Sequence, residues 1–198
     1  MTEVDPTSAP PSIRTDFEYS YFDDPNETGY QGYERDHNGD DNYLPWKGAR
    51  EFCETNDVAS ATDWGCAKGY LVEELLAAGI DAVGHDVSEY AVGIARENGL
   101  PCSIRDLRDA GGGRVADATF VLGALMYVEE EELPGVLAGL REETNRFLLI
   151  SVYWEGLPQD LPDVWRRITR PRAWWREQIE LAGFQYDGEN PLFDIYRA

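Results

Sequence analysis

Three acids recur along the chain beside residues that suit a ligand. Asp63 lies in "ATDWGCAKGYL", two positions ahead of a G-x-A-x-G turn made by Gly65, Ala67 and Gly69. Asp86 closes "DAVGHD", 23 positions later, and Asp106 closes "PCSIRD". Tiny residues in a turn let a ligand reach the backbone at van der Waals distance. A carboxylate beside them is an acceptor, or a counter-ion for a cationic group. A second carboxylate at the end of a following strand can accept hydrogen bonds from both vicinal hydroxyls of a ribose, the physics that places an acid there in nucleotide folds. The third is placed to accept from the amino group of an adenine. A dinucleotide site would need G-x-G-x-x-G, with its pyrophosphate on the helix N-terminus. The spacing found instead, with an acid upstream, suits a ligand that has no pyrophosphate and carries a cationic part.

The elements that must position these acids alternate along the chain. Extended stretches are expected near 58–64, 81–86, 101–106 and 117–123, and "RFLLISVYW" (146–154) is the strongest strand signal. Helices are expected at about 45–56, at 69–78 with Gly79 as its stop, and from a cap at Ser88 to about Asn98. The acidic run 129–132 is expected to open another helix, whose N-terminal dipole favours such charges. A last helix at 171–182 would use Pro171 in its first turn and Gly183 as its stop. Two short strands around "FQYDG" and "LFDIYRA" follow. The pattern predicts an α/β fold, a Rossmann-like and mainly parallel sheet with helices on both faces and a C-terminal antiparallel hairpin. "VASAT" is small and polar for a buried parallel strand; only the turn after it identifies it.

The motifs D-x-G-C-A-x-G, "VGHDVSEYAVGIAR", "RDL" and "ADATFVLGALMYVEEEEL" resemble, in order and spacing, those of class I S-adenosylmethionine-dependent methyltransferases. The resemblance covers residues 46–198. It implies a seven-stranded sheet with the last strand antiparallel, and S-adenosyl-L-methionine as cofactor. It implies that Asp63 and the loop with Gly65, Cys66, Ala67 and Gly69 hold the methionine part. Asp86, with Val87 beside it, would hold the ribose, and Asp106 with Leu107 the adenine. Leu122 and Gly123 would face the cofactor beside the methyl group. The implied activity is methyl transfer to an O or N atom of a small-molecule or glycan-like acceptor. Two departures stand out. Ala67 replaces a middle glycine common in the family, and Tyr127 stands where many small-molecule members have a histidine. A phenol with a pKa near 10 is a poor base at neutral pH. Either Tyr127 only shapes the acceptor pocket, or the base lies elsewhere.

Residues 17–46 hold Phe17, Tyr19, Tyr21, Phe22, Tyr30, Tyr33, Tyr43 and Trp46 among turn formers. So many rings need cover, so this segment reads as an aromatic arm or lid between a disordered tail (1–16) and the methyltransferase-like domain (47–198). Tyr33 is a candidate cofactor contact; Tyr30 and Tyr43 are candidate contacts in the acceptor cleft. His37, in "YERDHNGDDNY", is a solvated loop residue, a catalytic base or acceptor contact, or part of a metal site with Asp36, Asp40 and Asp41. His85 reads as a packing residue, and no metal is expected. Arg166, Arg167, Arg170, Arg172 and Arg176 lie among Trp165, Trp174 and Trp175. They either bridge to surface acids, with one paired tryptophan in the core, or form a site for an anionic acceptor or partner.

Composition sets the remaining bounds. At 198 residues, 42% of them hydrophobic, the chain suits one well-buried domain. It carries 38 Asp and Glu against 17 Lys and Arg, a net charge of −21. Lys47 and Lys68 are its lysines. This bias resembles proteins of salt-loving archaea, where screening shrinks like-charge repulsion. It disfavours duplex nucleic acid as a partner. No apolar run is long enough to span a membrane and no secretory leader is evident, so a soluble cytoplasmic protein is expected. Three scattered cysteines, Cys53, Cys66 and Cys102, suit a reducing compartment. The alternative reading is a non-catalytic binding protein of the same fold that docks a partner on its Arg/Trp face. Oligomeric state is not legible.

Overall fold

The computed structural model describes residues 17–24, 33, 45–155 and 165–198. The tail, Tyr30, His37 with its acidic neighbours, and Tyr43 lie outside the described residues. Seven strands make one sheet: β1 (Ser60–Trp64), β2 (Asp81–Asp86), β3 (Cys102–Ile104), β4 (Ala116–Leu122), β5 (Thr144–Ser151), β6 (Gln185–Glu189) and β7 (Asp194–Arg197). Their order is β3-β2-β1-β4-β5-β7-β6. The first five run parallel, and β7 lies antiparallel to both β5 and β6. The helices are α1 (Tyr19–Phe22), α2 (Pro45–Thr55), α3 (Tyr70–Ala77), α4 (Glu89–Glu97), α5 (Leu133–Glu143) and α6 (Arg172–Leu181). None is long and apolar enough to cross a membrane.

The period-two alternation of the strands sorts the core into two faces. Ala61, Ala82, Ala118, Phe120, Phe147 and Leu149 pack with α2, α3 and α4. Trp64, Val121, Leu148, Ile150 and Tyr196 pack with α5 and α6. The weak first strand is central, paired on both sides and buried from Ala61 to Trp64. Its small side chains sit under the helices of one face, while Trp64 fills the other. Apolarity is supplied by neighbours more than by β1 itself.

Several boundaries differ from the sequence reading, each for a local reason. β5 starts at Thr144 and ends at Ser151, because its partners β4 and β7 reach no further. The acidic run stays outside α5, which begins at Leu133. Its carboxylates are instead taken by arginines: Glu129 by Arg167 at 3.3 Å, Glu130 by Arg170 at 2.9 Å, and Glu132 by Arg108 at 2.7 Å. Pro171 is the N-cap of α6, one position before the helix, and Gly183 (φ 94°) follows its end. Ser88 caps α4 as read, its Oγ accepting from the Ala91 N–H at 3.0 Å. Strand order reverses between β1 and β4, so a crevice opens at their C-terminal ends, where ligands settle in open α/β sheets.

Candidate active site

The crevice floor is the turn from β1 into α3. Gly65 (φ 82°), Ala67 (φ 48°) and Gly69 (φ 81°) all take left-handed backbone, and the Gly65 and Cys66 N–H groups both donate to the His85 carbonyl, at 2.8 and 3.1 Å. An added Cβ on Gly65 would stand 2.5 Å from the Ala124 Cβ. Ala67 accepts a conformation that costs a residue with a Cβ about 1–2 kcal/mol. In return its N–H donates to Asp86 Oδ2 at 2.8 Å, and its methyl packs against the aromatic arm.

Asp86 is buried, and its other oxygen accepts from the Ser88 N–H at 2.9 Å. Burial raises its carboxyl above the usual range, and the N–H groups of Ser88, Ala67 and Val87 pull it only part of the way back. Asp63, one strand over, is also buried but has no hydrogen-bond donor among the described residues. Burial, then the neighbouring Cys102 and Asp86, push its carboxyl well above the usual range. Asp106 caps a short 3-10 turn at 107–109, accepting from the Arg108 N–H at 3.0 Å and from Arg108 Nη1 at 3.0 and 3.1 Å. Arg108 Nη2 is buried with no partner among the described residues.

These residues line two connected hollows that share Tyr33, Gly65, Leu122 and Gly123. The first is lined by Asp86, Val87, Asp106, Leu107, Ala67 and Tyr127, with Phe17, Tyr21 and Phe22 of the arm across from them. The second is lined by Asp63, Cys66, Trp46, Tyr70 and Ser151. The sequence-read set thus converges on one cleft, apart from two members. Gly69 turns inward as the N-cap of α3, beneath Ala95, Leu100 and Cys102. His37 lies outside the described residues. His85 is turned away from the cleft: its Nδ1 meets Ser103 Oγ at 2.7 Å and its ring packs on Trp64. Burial, with Arg105 and Arg114 nearby, lowers it to about 4. Tyr127 ends a 3-10 turn, its hydroxyl 2.8 Å from that of Tyr21.

The arm is fixed by contacts that no motif announced. Glu18 accepts from the Glu89 and Tyr90 N–H groups at the start of α4, at 3.1 and 3.0 Å. Asp23 accepts from Lys68 Nζ at 2.8 Å, Tyr90 Oη at 2.5 Å and the Tyr33 N–H at 3.2 Å. Burial opposes ionisation of Asp23, and those donors outweigh it, leaving the carboxyl lowered. Lys68 belongs to the glycine turn itself, so the turn and the arm are tied by a buried ion pair. One signal was available: a rare lysine inside a glycine turn. Tyr33 stacks on Tyr70 at 5.8 Å, and the Trp46 ring leans on Tyr70.

On the arginine-rich segment, Arg167 and Arg170 pair with the acids already named, and Arg172 pairs with Glu189 and Asp194. Arg166 and Arg176 lie over the rings of Tyr153 and Tyr186. Trp175 is in the core. Three of the five arginines thus bridge to surface acids, and the other two lie over tyrosine rings.

No family model and no curated protein sequence matches the chain. Solved structures do match in shape. A sugar N-methyltransferase, KedS8 from Streptoalloteichus, has a TM-score of 0.66 at 17% identity, over 80% of this chain and 87% of that one. A TehB-like S-adenosylmethionine-dependent methyltransferase from Corynebacterium glutamicum gives 0.63 at 14%, over 80% and 90%. The magnesium protoporphyrin IX methyltransferase ChlM from Synechocystis, with bound S-adenosylhomocysteine, gives 0.62 at 19%, over 77% and 79%. The architecture of this chain is therefore the class I S-adenosylmethionine-dependent methyltransferase fold.

Proposed function

We propose that the chain is an S-adenosyl-L-methionine-dependent methyltransferase acting on an O or N atom of a small-molecule or glycan-like acceptor. One observation carries this reading: Asp63 is a buried carboxylate with no donor among the described residues, facing a cleft beside a second, backbone-held carboxylate, Asp86. An unpaired buried charge is costly unless a cation completes it. The cofactor's α-ammonium supplies such a cation. Asp86 has lone pairs left for the ribose hydroxyls, and the two hollows that meet at Gly65 would take the chain between them. Asp106 and Leu107 lie beyond, where the adenine would rest, and Val87 flanks the ribose. The solved relatives named above include enzymes for a sugar and for a porphyrin, which supports a small acceptor without choosing one.

When bound, the cofactor supplies an electrophilic methyl on a sulfonium. The protein's part is to hold the acceptor in line and keep the site dry. Leu122 and Gly123 would border the methyl. Tyr127, hydrogen-bonded to Tyr21, would shape the acceptor pocket and does not serve as base. The arm, from Phe17 through Tyr33, would close the cleft as a lid. His37 stays a candidate base on that arm. The acidic surface and scarce lysine fit a cytoplasm rich in salt.

Calorimetric titration of S-adenosylmethionine and S-adenosylhomocysteine at low and at multimolar salt tests this. Binding of either supports the cofactor assignment. No binding by folded protein at any salt overturns it.

A further inference from the structure

Cys66 and Cys102 meet behind the glycine turn. A Cβ placed on Gly84 of β2 would stand 2.7 Å from Cys66 Sγ and 2.9 Å from Cys102 Sγ, so the two sulfurs share the space this glycine leaves open. Cys102 Sγ also abuts Gly69, at 3.2 Å from where its Cβ would be. One thiol therefore belongs to the turn, and the other touches the residue that ends it. Both side chains are buried, and Cys66 lines the cleft, which gives a small oxidant a way in.

We propose that Cys66 and Cys102 form an oxidisable dithiol, closed to a disulfide by hydrogen peroxide, and that closure disables the turn for cofactor binding. The second half rests on the methyltransferase reading; the first does not. The thiols are also unequal. The neighbouring Cys66 and, less strongly, Arg96 lower the Cys102 thiol despite its burial, while the Cys66 S–H reaches the Ala67 carbonyl at 3.7 Å. Cys66 itself is raised by Cys102, by burial, and by Asp63 and Asp86. Cys102 is the attacking sulfur by that inequality. Its thiolate takes one peroxide oxygen as the O–O bond breaks, giving a sulfenic acid and hydroxide. Cys66 sulfur then displaces the second hydroxide to form S–S, and its proton leaves with that hydroxide as water. Two thiols lose two electrons, and peroxide becomes two waters.

Two sulfurs that share one glycine's space must close to about 2.05 Å to be bonded. Cys102 is held in the sheet by pairing with Gly84, whereas Cys66 sits in a turn. The turn is what moves, and with it the Ala67 N–H on Asp86.

The test treats the full chain with hydrogen peroxide, maps cross-linked peptides by mass spectrometry, and titrates S-adenosylhomocysteine before and after, then again after dithiothreitol. The expected result is a Cys66–Cys102 cross-link and an affinity loss of about tenfold or more, the worth of one charge-assisted hydrogen bond, reversed by the reductant. Cys102→Ala and Cys102→Ser should bind like the reduced protein and ignore peroxide. Cys53, whose thiol burial pushes up to about 12, should stay unmodified. No cross-link in folded protein overturns the dithiol, and a cross-link with unchanged affinity overturns its coupling to the site. Should the reduced protein bind no S-adenosylhomocysteine, the function reading fails separately. Hydrogen exchange at residues 65–69 then decides the coupling: faster exchange in the oxidised chain supports it, and unchanged exchange refutes it.

Discussion

Asp86 and Asp63 lie at the C-terminal ends of neighbouring strands, are about equally buried, and are held in different ways. Burial raises the carboxyl of Asp86, and backbone N–H groups from its own turn and helix offset part of that as soon as the chain folds. Asp63 has no such donor among the described residues, and burial, Cys102 and Asp86 drive its carboxyl well above the usual range. One acid is part of the scaffold. The other is left for the proposed cationic ligand to complete. A site can thus hold affinity in reserve by leaving one group unsatisfied while building its neighbour into the frame.

Removing each acid separates the two roles. Asp86→Ala should have the largest effect, a loss of more than about a hundredfold in S-adenosylhomocysteine affinity together with a lower Tm, since buried N–H groups left unpaired cost about 1–3 kcal/mol each. Unchanged affinity would break the ribose assignment. Asp63→Asn should lower affinity about tenfold to a hundredfold yet raise or preserve the Tm of the free protein, because a buried unpaired charge is gone. If both variants lose stability alike, the contrast is wrong.

The same contrast predicts a proton. With its folded value raised, Asp63 contributes stability below the ordinary carboxylate range and loses it as pH rises through that folded value. An ammonium partner lowers it, so binding should release a proton in that window. Calorimetry in buffers of different ionisation enthalpy reads this directly, and Asp63→Asn should abolish it. Lys68→Met leaves Asp23 buried without its cation and should weaken binding several-fold by freeing the arm, seen as faster cofactor release and earlier proteolysis ahead of Trp46. Arg170→Ala, on an exposed bridge, should leave both affinity and Tm essentially unchanged.

The three acids were legible because strand-end position is written in short-range pattern: an alternating stretch, an acid, then a small residue or a cap. β1 was legible only through the turn it leads to, since its burial comes from helices elsewhere in the chain. The grip on the arm could not be read. It joins Glu18 to α4 and Asp23 to Lys68, partners far apart in sequence whose meeting depends on the finished fold. The acidic run 129–132 was misplaced for the same reason. Its charges fit a helix dipole locally, but arginines from distant segments claim them instead.

β7 is last of the seven strands in sequence yet lies inside the sheet, between β5 and β6. During synthesis β5 must therefore wait, with one edge bare, until residue 197 has cleared the ribosome, a matter of seconds at ordinary elongation rates. A bare, apolar strand edge is a template for mispairing. The chain's exposure to aggregation is thus set by the timing of β7, and any delay after β5 has emerged and before β7 does would display that edge for as long as the delay lasts.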